Sequence, residues 1–175
     1  MNKLFRNILL ASIVLVLIGT IISSTGCSFR YGFKDVSIPD TIKTVKVGFI
    51  ENRARYINPQ LSPRLTDRLR QKIVSQTKLT QVNNDNADWE ISGWISDYSF
   101  STSAISGQRE ANNRLTVSVH VTINDRKADK TTDYDVSRSF EFKGTQSIQQ
   151  AEASLGDEMI RTLTDEIFNR LFSNW

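Results

Sequence analysis

Side chains that could perform catalysis are few and scattered along this sequence. His120 is the only histidine and Cys27 the only cysteine among 175 residues. His120 lies between Val119 and Val121 at a polar strand position, where an exposed role is more frequent, and no nucleophile or carboxylate can be assigned to it as a partner. The carboxylates form no glycosidase or metalloprotease motif, and the sequence has no glycine-rich phosphate loop. The sequence therefore predicts a protein that is not an enzyme and needs no metal or cofactor.

Cationic side chains form a stronger chemical pattern, that of an anion-binding surface. Arg64, Arg68 and Lys72 follow one another at four-residue spacing, so they share one face of a predicted helix. Arg109 lies in a long polar connection, 101–113, and Arg114 follows it directly. Guanidinium groups bind carboxylate or phosphate through two parallel hydrogen bonds. We treat these five residues as candidate ligand or partner contacts; a solvated helix face and a plain mobile loop are the alternatives.

The context of Cys27 predicts covalent modification of its thiol. An apolar run of 15 residues, Ile8–Ile22, follows two basic residues; it is short for a membrane-spanning helix and suits a signal peptide. The small residues 23–26 then precede the cysteine, and the segment resembles a bacterial lipobox, although Ser24 stands where an aliphatic residue is usual. A thiol is the nucleophile that forms a thioether with diacylglycerol. We expect Cys27 to be acylated; an uncleaved membrane anchor is the alternative.

The chain is therefore predicted to have three parts. Residues 1–26 form a lipoprotein signal peptide, residues 27–42 a lipidated tether, and residues 43–175 a single domain. A lipoprotein with several acyl chains is stably anchored in a membrane. Because Ser28 follows the cysteine where an aspartate would retain the protein in the inner membrane, resemblance to known sorting signals favours the outer membrane and its periplasmic face.

Hydrophobic periodicity predicts the strands and helices that position these residues in the domain. The patterns predict strands at 44–50, 89–100, 114–124 and 134–142, and helices at 61–77 and 147–172. The order β-α-β-β-β-α predicts an α+β, two-layer sandwich, in which a four-stranded, mainly antiparallel sheet packs with one face against both helices.

One predicted strand, 89–100, departs from simple alternation. Its first apolar residues, Trp89, Ile91 and Ile95, occupy one face. The other face receives the aromatic residues Trp94, Tyr98 and Phe100. This pattern indicates either a β-bulge or a strand that is covered on both sides.

The composition is that of an ordinary globular domain. Hydrophobic residues make up 39% and charged residues 23% of the chain, which excludes collagen, a coiled coil and bulk disorder. A single cysteine excludes a disulfide scaffold. Without Lys3 and Arg6, the 20 remaining basic residues exceed the 19 acidic ones by one, so the net charge does not suggest nucleic-acid binding.

Four segments taken together resemble the LptE family of lipopolysaccharide-assembly lipoproteins. They are GCSFRYGFKDVSIPDTIKTVKVGFIENRA at 26–54, LSPRLTDRLRQKIVSQTKLTQV at 61–82, NNRLTVSVHVTI at 112–123 and DEIFNRLFSNW at 165–175. The resemblance extends over the whole mature chain. It implies a four-stranded sheet with two helices on one face, in agreement with the hydrophobic patterns.

The resemblance also implies a binding and scaffold role. Such lipoproteins plug the lumen of the β-barrel translocon LptD, assist its assembly and contact lipopolysaccharide during export. The family's ligand-contacting residues match no motif here, so Arg109 and Arg114 remain candidates on their chemistry alone. The alternative is an outer-membrane lipoprotein that regulates a cell-wall synthase, because the unit VKVGFIENR followed by periodic leucines also occurs in such regulators.

Overall fold

The computed structural model describes residues 38–102 and 112–173, which belong to one compact unit, Phe33–Trp175. This part of the chain contains six strands and two helices. In chain order they are β1 (Thr44–Val47), β2 (Glu51–Asn52), α1 (Leu61–Gln76), β3 (Thr80–Gln81), β4 (Trp89–Thr102), β5 (Asn112–Asp125), β6 (Lys130–Lys143) and α2 (Ile148–Phe172). The α+β class and both helices agree with the sequence prediction.

The sheet is open and mixed, and the predicted four-stranded, mainly antiparallel sheet is wrong in this detail. The strand order is β3-β1-β4-β5-β6, and β2 pairs with β4 beyond the end of β1. Strands β4, β5 and β6 are antiparallel neighbours, whereas β1 runs parallel to both β3 and β4. Strand β3 is parallel to β1 because α1 carries the chain back to the end of the sheet at which β1 begins. Strands β2 and β3 have two residues each, too few for a detectable alternation.

A β-bulge in β4 corrects the predicted division of its aromatic residues. Ile95 pairs with Val119 and Asp97 with the adjacent Ser118, so Ser96 is an extra residue. The shift of one residue reverses the facing of everything after it. Tyr98 and Phe100 therefore join Trp89, Ile91 and Ile95 on the core face, and among the aromatic residues of β4 only Trp94 lies on the other face.

Both helices cover the same face of the sheet, as their apolar stripes predict. Helix α1 buries Leu65, Leu69 and Ile73, and α2 buries Leu163 and Ile167, all within one core cluster. Helix α2 begins at a capping box, in which Ser147 and Gln150 satisfy each other's backbone N–H groups. Helix packing leaves the opposite sheet face open to solvent.

The first strand is attached to the sheet by a carboxylate as well as by backbone pairing. Asp88 Oδ2 accepts hydrogen bonds from the N–H groups of Lys43 at 2.7 Å and Thr44 at 2.9 Å. These backbone donors, with Lys127 Nζ 3.1 Å from the other oxygen, hold the pKa of Asp88 well below its usual value.

The predicted tether meets the domain at its last residues. Ile42 is buried in the core cluster, and Ile38 packs against it partly exposed. The proposed signal peptide, Cys27 and Arg109 lie outside the described residues.

Candidate functional site

The basic face of α1 is paired with acidic residues of α2. An ion pair joins Arg64 and Asp157, and Lys72 Nζ lies 2.8 Å from Asp165 Oδ1. Lys72 also lies over the ring of Phe168, with 5.1 Å between Nζ and the ring centroid. Two of the three predicted helix cations therefore pair with α2, and the Lys72 pair is the better shielded of the two, since the Asp157 side chain is 95% exposed.

Arg68 is the member of this row without a carboxylate partner in the described part of the chain. It is exposed and lines a groove between the helices beside Gln71, Glu158 and Arg161. Arg70, on another side of α1, donates to the carbonyl oxygen of Val47 from Nε at 3.2 Å and from Nη2 at 2.9 Å. The basic character of α1 thus arises partly from contacts that fix the helix to the fold.

The long connection after β4 is shorter than the sequence suggests. Pairing between β4 and β5 extends to Thr102 and Asn113, so fewer residues connect the two strands than the predicted range 101–113. Arg114 lies at this end of the sheet, and its Nη2 is 3.3 Å from Glu141 Oε1. Both side chains are about half exposed, so the pair contributes less than about 1 kcal/mol and can exchange partners.

The open sheet face carries two rows of short polar side chains that bond across β5 and β6. Thr116 pairs with Ser139 and Ser118 with Ser137, with 2.9 Å between the hydroxyl oxygens in both cases. Further along, Thr122 Oγ1 donates to Asp133 Oδ1 at 2.6 Å. These cross-strand bonds give the face a flat, hydroxyl-rich surface whose polar groups are satisfied.

A polar aromatic cluster stands in the middle of this face, and the sequence analysis missed it. Trp94 and His120 are cross-strand neighbours with ring centroids 4.2 Å apart. His120 Nδ1 lies 2.8 Å from Asp135 Oδ1, and the guanidinium carbon of Arg53 lies 4.9 Å from the Trp94 centroid. The alternation of β5 predicts the open position of His120, but only the strand order brings these four side chains together.

Residues 38–102 and 112–173 contain neither a cluster of metal ligands nor a membrane-spanning helix. No group of three or more histidine, cysteine, aspartate or glutamate side chains there could hold a metal ion. The two helices of this part are not long and apolar enough to cross a membrane.

Comparison with protein-family models gives one match that extends over the domain. The model named LptE, lipopolysaccharide-assembly, matches residues 42–171. These residues include all eight helices and strands of the described structure except the last residue of α2. A search of curated proteins found no match.

Solved structures of bacterial proteins are similar to the chain at low sequence identity. A neuraminyllactose-binding hemagglutinin homolog from Helicobacter pylori is 12% identical, with a TM-score of 0.51 over 78% of this chain and 89% of that one. A minor lipoprotein from Acinetobacter baumannii is 13% identical, with a TM-score of 0.45 over 76% and 90%. The PelC dodecamer subunit from Paraburkholderia phytofirmans is 10% identical, with a TM-score of 0.48 over 79% and 94%. The first likeness concerns the fold alone.

Proposed function

The chain belongs to the LptE family of lipopolysaccharide-assembly proteins, and from this premise we propose that it plugs and helps to assemble the LptD β-barrel translocon. In this role it is an outer-membrane lipoprotein, anchored through Cys27, that faces the periplasm and the barrel lumen. It contacts lipopolysaccharide while that lipid passes to the cell surface. The protein acts by binding and needs no cofactor.

The open sheet face is the observation that supports a plug most directly. The lumen of a large transmembrane barrel is polar, so a plug must present polar surface without leaving buried groups unsatisfied. The open face presents such a satisfied polar surface, because the hydroxyl of Thr116 pairs with that of Ser139 and the hydroxyl of Ser118 with that of Ser137. Short side chains also let a flat face approach a barrel wall closely.

Lipopolysaccharide contact is proposed for the end of the sheet at which Arg114 lies. Arg114 is half exposed and has only a weak partner in Glu141, so an anionic group can replace that partner. Arg109 belongs to the connection that precedes β5. Arg64, Arg68 and Lys72 form a secondary candidate surface, which requires release of the Arg64 and Lys72 ion pairs with α2 before two of its cations can bind a phosphate.

Controlled depletion of the protein in its native cell tests this function. We expect the folded amount of the LptD-type barrel to fall and the cells to become sensitive to large antibiotics that an intact outer membrane excludes. Unchanged barrel assembly and antibiotic resistance, with altered cell-wall synthesis instead, would contradict the proposal and support the regulator.

A further inference from the structure

A carboxylate lines a cleft between the N-terminal halves of the two helices. The cleft has a volume of about 500 Å³, and Glu152 lies on its α2 side. Glu152 Oε1 accepts hydrogen bonds from Tyr98 Oη at 2.8 Å and Asn58 Nδ2 at 3.1 Å. Its Oε2 lies 3.4 Å from Tyr56 Oη. Three neutral donors from two distant segments therefore fix the orientation of one carboxylate.

The two phenols act as donors in this network. Burial raises the pKa of Tyr98 and, more moderately, that of Tyr56, and the neighbouring Glu152 charge contributes to both. Both hydroxyls therefore stay protonated at neutral pH and direct their hydrogens to the carboxylate. The rings also stack on each other, with centroids 5.4 Å apart and planes 18° from parallel.

The charge of Glu152 lacks a countercharge among residues 38–102 and 112–173. Three other carboxylates of α2 have cationic partners: Asp157 pairs with Arg64, Asp165 with Lys72 and Glu166 with Arg138. Arg64 also lines the cleft, but it makes its ion pair with the exposed Asp157 and not with Glu152. The cleft thus holds a partly buried, oriented negative charge whose direct hydrogen-bond contacts are all neutral donors.

Apolar side chains accompany this charge. Leu61, Met159 and Ile160 line the cleft. Ile57, which is 62% exposed, lies between Tyr56 and Asn58 in the chain, and Ile148, 37% exposed, precedes Glu152 by one helical turn. Apolar side chains that shield a central polar contact from water are typical of the strongest parts of protein interfaces.

We propose that this cleft binds an arginine side chain that a partner protein presents between apolar residues. The guanidinium would donate to the lone pair that remains on Glu152 Oε2 and stack against the Tyr56 ring, because a planar cation stacks better than an ammonium. The flanking apolar residues of the partner would cover Ile57 and Ile148. The partner protein that presents this arginine need not be the barrel.

A peptide titration of the full-length protein in detergent tests this site. The probe is acetyl-Leu-Arg-Leu-amide, and the matched control peptide carries citrulline, which has nearly the same shape but no charge. Binding is followed by NMR shifts of the Glu152 backbone amide and the Asn58 side-chain amide. We expect saturable shifts with the arginine peptide and about tenfold or weaker binding of the citrulline peptide. Equal binding of the two peptides, or no saturable shift with either, would overturn the proposal.

Variants of the protein test whether the arginine peptide binds in this cleft. Glu152→Gln should weaken arginine-peptide binding about tenfold, whereas Glu158→Gln, at an exposed position of the same helix, should leave it unchanged. If Glu152→Gln disturbs the fold, Ile148→Ser keeps the carboxylate network and should still weaken binding. Equal affinities of the wild type and Ile148→Ser, or a loss with Glu158→Gln, would count against the cleft.

Measurements of self-association and of vesicle binding, made on the same protein and variants, distinguish two other occupants. Self-association of the protein that the arginine peptide reverses would assign the cleft to a second copy. Binding to phosphatidylethanolamine vesicles but not phosphatidylcholine vesicles, lost in Glu152→Gln, would assign it to a lipid amine. Either result would overturn a partner-protein site. Because no barrel is present in this titration, its failure leaves the proposed plug function untouched.

Discussion

At the scale of single residues, charge pairing determines which cations remain available to a ligand. Lys72 has a partly shielded carboxylate partner on α2, whereas the pairs of Arg64 with Asp157 and of Arg114 with Glu141 are both exposed. Four-residue spacing in a sequence reveals a shared helix face, but it does not reveal which residues of another helix meet that face. This is why the sequence predicted the basic row of α1 and missed its acidic partners.

Lipidation at Cys27 is the first prediction at this scale. Mass spectrometry of membrane-extracted protein should find Cys27 as the N-terminal residue with lipid attached, because the apolar run and small residues before it form a cleavage and acylation signal. Cys27→Ser should abolish the modification. Recovery of an intact Met1 in the wild-type membrane protein would refute it.

The arginine pair at the end of the sheet gives a second prediction. Arg109→Gln combined with Arg114→Gln should weaken lipopolysaccharide binding while the melting temperature stays the same. Each lost charged hydrogen-bonding contact should cost about 1.5–3 kcal/mol if it is desolvated in the complex. Binding can be measured by titration of the detergent-solubilised protein with purified lipopolysaccharide.

The control for this experiment must not disturb the fold. Arg126 and Lys127 at the opposite hairpin are unsuitable because they pair with Glu90 at 3.3 Å and Asp88 at 3.1 Å. Lys78→Gln with Lys130→Gln alters two exposed cations that have no carboxylate partner within the described residues. Weaker binding in this control but not in the arginine variant would mean that the ligand binds elsewhere.

Asp88 predicts a specific dependence of stability on pH. Its pKa is depressed in the folded state, so its contribution is present above the unfolded pKa of about 4 and is lost as pH falls through the folded pKa. Asp88→Asn should lower the free energy of unfolding at pH 7 by about 1–3 kcal/mol. It should also make the loss of stability below about pH 4 shallower.

Denaturant unfolding at several pH values measures both effects. Asp129→Asn, at an exposed position of the nearby hairpin, serves as the control and should follow the wild-type curve. Parallel acid curves for the wild type and Asp88→Asn would show that Asp88 does not provide the acid-sensitive contact.

At the scale of helices and strands, long periodic segments were predictable and short or irregular ones were not. The alternation of β5 and the apolar stripe of α2 specify their strand and helix with bounds that differ by about two residues from the structure. The facing of Tyr98 and Phe100 could not be assigned, because a bulge at Ser96 is set by pairing with β5. Glu152, Tyr98 and Asn58 likewise meet only through the tertiary fold.

Close approach of β4 and β5 beside Trp94 yields a prediction for Gly93. A Cβ at Gly93 would lie 2.4 Å from the backbone oxygen of His120, and backbone cannot move aside as a side chain can. Gly93→Ala should therefore lower the free energy of unfolding by about 1–3 kcal/mol. Gly48→Ala is the matched control, because its nearest contact would be an ordinary 3.4 Å. Equal thermal melting of the two variants would contradict this packing.

At the scale of the whole molecule, the two sheet faces differ in character. One face and both helices form the core, while the other presents paired hydroxyls and the cluster around Trp94. A solvated polar face is common in antiparallel sheets, and the pairing of its hydroxyl groups is the feature that suits the proposed contact with a polar barrel lumen. This division of faces supports the proposed plug, for which an LptD-type barrel is the proposed partner.

Co-purification from native outer membranes tests the plug most directly. Affinity-tagged full-length protein should be isolated in mild detergent and analysed by electrophoresis with and without heating. We expect an approximately equimolar complex with a large β-barrel protein, which stays intact without heating and separates into its two chains on boiling. Capture of a penicillin-binding protein with no barrel would contradict the plug and favour the cell-wall synthase regulator.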